Sequence, residues 1–144
     1  MRALQRMTMR DPAHTLSGIR YVPWVSMFRG RVPYPLHAAI ELVTATALIG
    51  VPFAIGLSLD ATITAGAIGV VLFGLAVSAT ASEGRGTLPI SAHATYDAAV
   101  ALVLVGAAVV FGFAGEVPAL VFLLLAGIAQ LTLNGFTRYS PSRV

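Results

Sequence analysis

Apolar residues run through this chain in long uninterrupted blocks, separated by single charges. Between Glu41 and Asp60 stand 18 uncharged residues, and between Asp60 and Glu83 another 22. Between Asp97 and Glu116 there are 18 more, and between Glu116 and Arg138, 21. A helix rises 1.5 Å per residue, so about 20 apolar residues cross a hydrocarbon layer of about 30 Å. Four such blocks predict four transmembrane helices, over approximately 36–58, 61–81, 92–114 and 117–136. Pro33 and Pro35 precede the first and Pro89 the third, where a missing N–H costs little. Asp60 and Glu116 open the second and fourth, where an acid offsets the exposed donors and the helix dipole. The connections at 59–60 and 115–116 are very short, so each successive pair of helices is expected to be an antiparallel hairpin.

Shifting the chain by 56 residues lays it on itself without a gap. Pro33 meets Pro89, His37 meets His93, and Ala38 meets Ala94; Gly50 and Gly56 meet Gly106 and Gly112. Glu41 meets Asp97 and Asp60 meets Glu116, each pair keeping its charge. Alanine and leucine matches are cheap in membrane sequences, but proline, histidine, acid and glycine matches in one register are not, and they mark a duplication. Each copy holds two spans, so both insert the same way round. The fold class expected is all-α: a polytopic membrane protein of four transmembrane helices, arranged as two tandem hairpins with pseudo-twofold symmetry along the membrane normal. The chain then divides into an arm (1–32), a first hairpin (33–82), a loop (83–88), a second hairpin (89–138) and a tail (139–144).

Composition agrees, with 57% hydrophobic residues, 10% charged and a mean hydropathy of +0.85, too apolar for a small soluble domain. The basic pI near 10 follows from topology and needs no nucleic acid partner. All nine basic residues are arginine, confined to the arm, the central loop and the tail, while the other two connections hold only Asp60 and Glu116. The positive-inside rule places those three basic segments, and both termini, in the cytoplasm. The first 32 residues carry six arginines and no apolar stretch long enough for a signal peptide, so the first span is expected to act as an uncleaved anchor. Without cysteine there are no disulfides, thiolate metal sites or covalent c-type haem.

In the arm, Arg20, Tyr21, Trp24, Phe28, Arg29 and Arg31 mix aromatics with arginines, which suits a lipid headgroup layer or a partner surface. His14 stands there without partners and reads as a surface histidine. Ser82-Glu83-Gly84-Arg85-Gly86 is glycine-rich, but it lacks the lysine and the strand–helix context of a phosphate cradle. No nucleophile–base pair is evident, and the chain reads as non-enzymatic.

The chemically suggestive feature is the duplicated Pro-x-x-x-His-x-x-x-acid, at His37/Glu41 and His93/Asp97. A spacing of four puts each histidine and acid on one helix face, a turn apart. If the two faces meet at the pseudo-twofold axis, two imidazoles and two carboxylates converge. Such a set serves as interhelical glue, binds a divalent metal, relays protons, or offers two axial histidines to a b-type haem. The acids should lie near the cytoplasmic edge of the hydrocarbon, with the histidines a turn further out near the headgroups. No cofactor is required by this reading.

The second copy reads Pro-Ile-Ser-Ala-His-Ala-Thr-Tyr-Asp from Pro89, then Val110-Phe111-Gly112-Phe113 and a late Thr137-Arg138-Tyr139-Ser140. Over about residues 33–140 the chain resembles the SPW repeat family of small bacterial membrane proteins, which carry a His-x-x-x-Asp helix start followed by a Ser-Pro-Trp turn. The naming tripeptide is degenerate here, as Val51-Pro52-Phe53 in one copy and Ala107-Ala108-Val109 in the other. The resemblance implies a multi-pass protein of the bacterial cytoplasmic membrane and carries no activity with it. Three roles stay open: a structural or accessory subunit that associates with itself or a larger membrane complex, a metal- or haem-binding protein, and a small oligomeric transporter.

Overall fold

The computed structural model describes residues 32–80 and 88–139. They form four helices, α1 (Tyr34–Ala54), α2 (Leu59–Thr80), α3 (Ile90–Phe113) and α4 (Val117–Phe136). Each is long and apolar enough to span a bilayer, and the protein is a multi-pass membrane protein of the all-α class.

Proline starts the odd-numbered helices. Pro33 (φ −64°) and Pro89 (φ −58°) stand at the N-caps, and their carbonyls accept the first helical hydrogen bonds, from the His37 and His93 N–H groups at 3.0 Å each. Glycine ends them. Gly56 and Gly115 adopt φ of +68° and +82°, the left-handed region that a Cβ disfavours. The next N–H then turns back into the helix, Leu57 to Pro52 O at 3.0 Å and Glu116 to Phe111 O at 2.9 Å. These paired Schellman turns close both hairpins. The first ends sooner than expected, because α1 stops at Ala54 and Gly56 reverses the chain.

The duplication is visible in the burial pattern, with one change of register. His37, Glu41, Ala45, Leu48 and Pro52 of α1 are buried, as are His93, Asp97, Ala101, Leu104 and Ala108 of α3, 56 residues on. In the second helices the matching buried positions lie 58 apart: Ala61, Ala65, Gly69, Leu72 and Leu75 against Ala119, Leu123, Gly127, Gln130 and Leu133. The copies are therefore not collinear throughout. α3 runs 24 residues against 21 for α1, while the following connection is shorter, 114–116 against 55–58. The pairing of Gly56 with Gly112 gives way to Gly56 with Gly115, and Asp60 is no counterpart of Glu116. Ser58, whose Oγ accepts from Ala61 N–H at 3.2 Å, is the residue in the place of Glu116.

The interior is built from small residues. Ala38, Ala45, Ala61, Ala65, Ala101, Ala108 and Ala119 are all at most 1% exposed, whereas Phe53, Leu59 and Phe113 point outward. Lipid tails are as apolar as leucine, so close backbone approach contributes much of this packing, beside the fully buried Leu48, Leu72, Leu104 and Leu123. Gly69 and Gly127 make the closest approaches: a Cβ on Gly69 would stand 3.0 Å from Ala45 O, and one on Gly127 3.2 Å from Val105 N. Each hairpin packs tightly on itself, and the hairpins meet where α2 touches α3 and α1 touches α4. This puts α1 and α3 on opposite corners of the bundle. An apolar groove lined by Ile68, Val71, Leu75, Tyr96, Val100 and Val103 opens beside the α2–α3 contact.

A short backbone tie closes one end. Val32 N–H donates to Phe136 O and Arg138 N–H donates to Val32 O, both at 3.1 Å, forming an isolated parallel bridge between Val32 and Thr137. It holds the entry to α1 against the exit from α4, and so fixes Thr137 and Tyr139 over the helix starts.

Candidate functional site

The Pro-x-x-x-His-x-x-x-acid spacing carries one residue inward per turn. Proline sets the helix start, histidine sits one turn inside it, and the acid one turn deeper. On α1 and α3 these faces turn toward each other across the bundle, and His37, Glu41, His93 and Asp97 are all at most 1% exposed.

The four side chains interlock between hairpins. His93 Nε2 lies 3.2 Å from Glu41 Oε2, and His37 Nε2 lies 3.1 Å from Asp97 Oδ2. Within each helix the contacts are longer, 3.4 Å for His37 Nε2 to Glu41 Oε2 and 3.4 Å for His93 Nε2 to Asp97 Oδ1. Nitrogen and oxygen therefore alternate around a ring, one donor atom from each residue falling within 4.8 Å of the others. Convergence of the duplicated motifs is thus a property of the structure. The histidines are closed off inside the end of the bundle.

An outer layer holds the ring, and nearly all of it comes from the second hairpin and the segment after it. Gln130 Nε2 donates to Glu41 Oε1 at 2.8 Å. The Tyr139 hydroxyl donates to Asp97 Oδ2 at 2.9 Å. Burial, with the charge of Asp97 behind it and the hydrogen bond to that carboxylate, holds the Tyr139 phenol above its ordinary pKa and keeps it a donor. Thr137 Oγ1 donates its proton to Leu133 O at 2.7 Å, so its lone pair receives His37 Nδ1–H, also at 2.7 Å. His37 is thereby oriented, with Nδ1 toward Thr137 and Nε2 facing the carboxylates. Tyr34 from the first turn of α1 completes the cover, its ring stacked on His37 at 6.1 Å and edge-on to His93 at 5.5 Å.

Three buried atoms of this site have no hydrogen-bond partner: His93 Nδ1, Asp97 Oδ1 and Gln130 Oε1. The duplicated histidines and acids were legible from the motif, whereas the roles of Tyr34, Gln130, Thr137 and Tyr139 were not. The sequence signal for two of them was present in Thr137-Arg138-Tyr139-Ser140, beside the second span. Arg20, Tyr21, Trp24, Phe28, Arg29 and Arg31 of the arm, His14, and the 82–86 loop lie outside the described residues.

Comparison with known proteins finds no matching family model, no matching curated protein and no matching solved structure. The resemblance to SPW repeat proteins rests on the residues quoted for it above.

Proposed function

We propose that this chain is a non-enzymatic structural or accessory protein of the bacterial cytoplasmic membrane, with both termini inside, that works by associating with copies of itself or with a larger membrane complex. One observation carries this reading. The ionisable side chains that meet inside the described spans are enclosed in a single lattice at one end of the bundle, and the outward faces of the described helices are mostly apolar. Only 28–39% of each span is buried within the chain, so most of every helix is left for lipid or neighbouring proteins. Gly50, Gly74 and Gly106 have open space where a Cβ would stand, which lets another helix approach their backbones.

Transport is less well supported. Passage across the bilayer needs polar groups along the depth of the spans, and beyond the lattice the inward faces of α1 and α3 carry Ala45, Leu48, Ala101, Leu104 and Ala108. A haem between the histidines is also poorly served, because carboxylate oxygens stand 3.1–3.4 Å from both Nε2 atoms, where the porphyrin iron would sit.

The absence of native cysteine makes a direct test simple. Single cysteines placed at exposed Val43, Val70, Val103 and Val121, one per helix, are cross-linked in native membranes at native expression. The association reading predicts a discrete product from one or two of these faces, unchanged on lowering expression. Uniformly uncross-linked protein at every position would contradict it.

A further inference from the structure

We infer that His37, Glu41, His93 and Asp97 form a four-ligand site for one divalent first-row transition ion, with zinc the best match to a closed set of four protein ligands. This goes beyond the association reading and does not depend on it.

The first support is the spacing of the donor atoms. Zinc bound to imidazole nitrogen and carboxylate oxygen at about 2.0–2.2 Å in a tetrahedron separates its ligands by about 3.3–3.6 Å. His93 Nε2 stands 3.2 Å from Glu41 Oε2 and 3.4 Å from Asp97 Oδ1, and His37 Nε2 stands 3.4 Å from Glu41 Oε2, with the other Asp97 oxygen, Oδ2, 3.1 Å away. One donor atom from each residue lies within 4.8 Å of the others, so an ion at about 2.1 Å from all four is seated by a small contraction of the ring.

The second support is the outer layer. A metal-bound histidine characteristically gives its other ring N–H to an oxygen partner, which fixes the tautomer and aims the free lone pair at the metal. His37 does so through Thr137, whose own hydrogen is committed to Leu133 O, whereas His93 Nδ1 has no such partner. Glu41 receives Gln130 on Oε1, leaving Oε2 for the centre, and Asp97 receives Tyr139 on Oδ2. Asp97 Oδ1, fully buried, has no hydrogen-bond donor and stands 3.4 Å from His93 Nε2 on the rim of the ring. It is the atom that a cation would satisfy.

The third support is charge. The lattice buries two carboxylates, and every ion-pair partner they have among the described residues is a histidine. Ligation through Nε2 requires both imidazoles to be neutral, and two neutral imidazoles with two carboxylates carry a charge of −2, which one divalent ion neutralises. Histidine and carboxylate in equal number suit zinc, iron or manganese. A closed set of four protein ligands is the arrangement of a structural zinc site, because no position is left for substrate. The ion would join the two hairpins at the point where both copies of the motif meet.

The full chain is purified without a histidine tag in mild detergent, stripped with chelator, and titrated with Co2+ and then Zn2+. The expected result is one Co2+ per chain with the intense visible absorption of tetrahedral cobalt, displaced stoichiometrically by Zn2+. Glu41→Gln and His93→Gln, which keep side-chain size close to that of the native residues, should weaken binding at least about tenfold while His14→Gln leaves it unchanged. Circular dichroism and gel filtration confirm that the proteins compared are folded. Stripped wild-type protein that stays helical and monodisperse yet takes up neither ion saturably would overturn the site. So would undiminished affinity in folded Glu41→Gln and His93→Gln proteins, or a weak octahedral cobalt spectrum.

Discussion

Each acid in the lattice answers to the opposite hairpin as well as its own. Removing one member leaves charged or polar partners stranded away from water, which typically costs about 3–5 kcal/mol, more than the intact pair contributes. Glu41→Ala strands His93 and Gln130, so reversible unfolding in mixed micelles should register a loss of about 3 kcal/mol or more. Replacing all four residues together with leucine and methionine should cost far less, because no polar atom of the ring is then abandoned. Gln130→Leu installs the residue that its counterpart Leu72 already carries; it removes the donor to Glu41 Oε1 and should cost about 1–3 kcal/mol. The sequence displayed the two halves of the ring, because helical spacing of four fixes which residues share a face, while their meeting depends on how the hairpins pack. It did not display Thr137 and Tyr139 as partners, since their approach depends on a backbone tie to Val32 far away in the chain.

At the level of the helices, the decisive residues are the small ones. Gly127→Val should destabilise by about 1–3 kcal/mol through overpacking, because even the first carbon would stand 2.8 Å from Val105 Cγ2 and 3.2 Å from Val105 N. Gly106→Val meets nothing within 4 Å and should leave the isolated fold intact. If neighbours pack on that face, the same substitution should instead reduce cross-linking in native membranes. The number of spans was plain from the apolar blocks, but three helices start two residues ahead of the expected 36, 61 and 92. α1 and α3 begin directly after Pro33 and Pro89, and α2 at Leu59, within the expected 59–60 connection. The turns were less plain. A 56-residue shift matches Gly56 with Gly112, but the left-handed turn falls at Gly115 because α3 continues three residues past the end of its counterpart. Apolar residues such as Val110 and Phe111 fit a helix interior and a helix end equally well, so composition cannot place the boundary.

For the whole molecule, duplication supplies the architecture and divergence supplies the outer layer of the site. Two copies of one hairpin, inserted the same way round, bring two copies of one motif face to face. The second copy then adds Gln130 to the ring, where the first keeps Leu72. Topology at this scale is open to labelling. Cysteines at Asp60 and Glu116 should react with an impermeant thiol reagent from the periplasmic side of spheroplasts, and one at Arg138 only after permeabilisation. The account depends most on the meeting of the two motifs, which magic-angle-spinning NMR in bilayers can observe directly. With histidine labelled in 15N and the acids in 13C, the expected spectrum contains close contacts from His93 to the Glu41 carboxyl and from His37 to the Asp97 carboxyl, each removed by the matching Glu41→Gln or Asp97→Asn assignment variant. Contacts confined to His37–Glu41 and His93–Asp97, within each helix and never between hairpins, would contradict it.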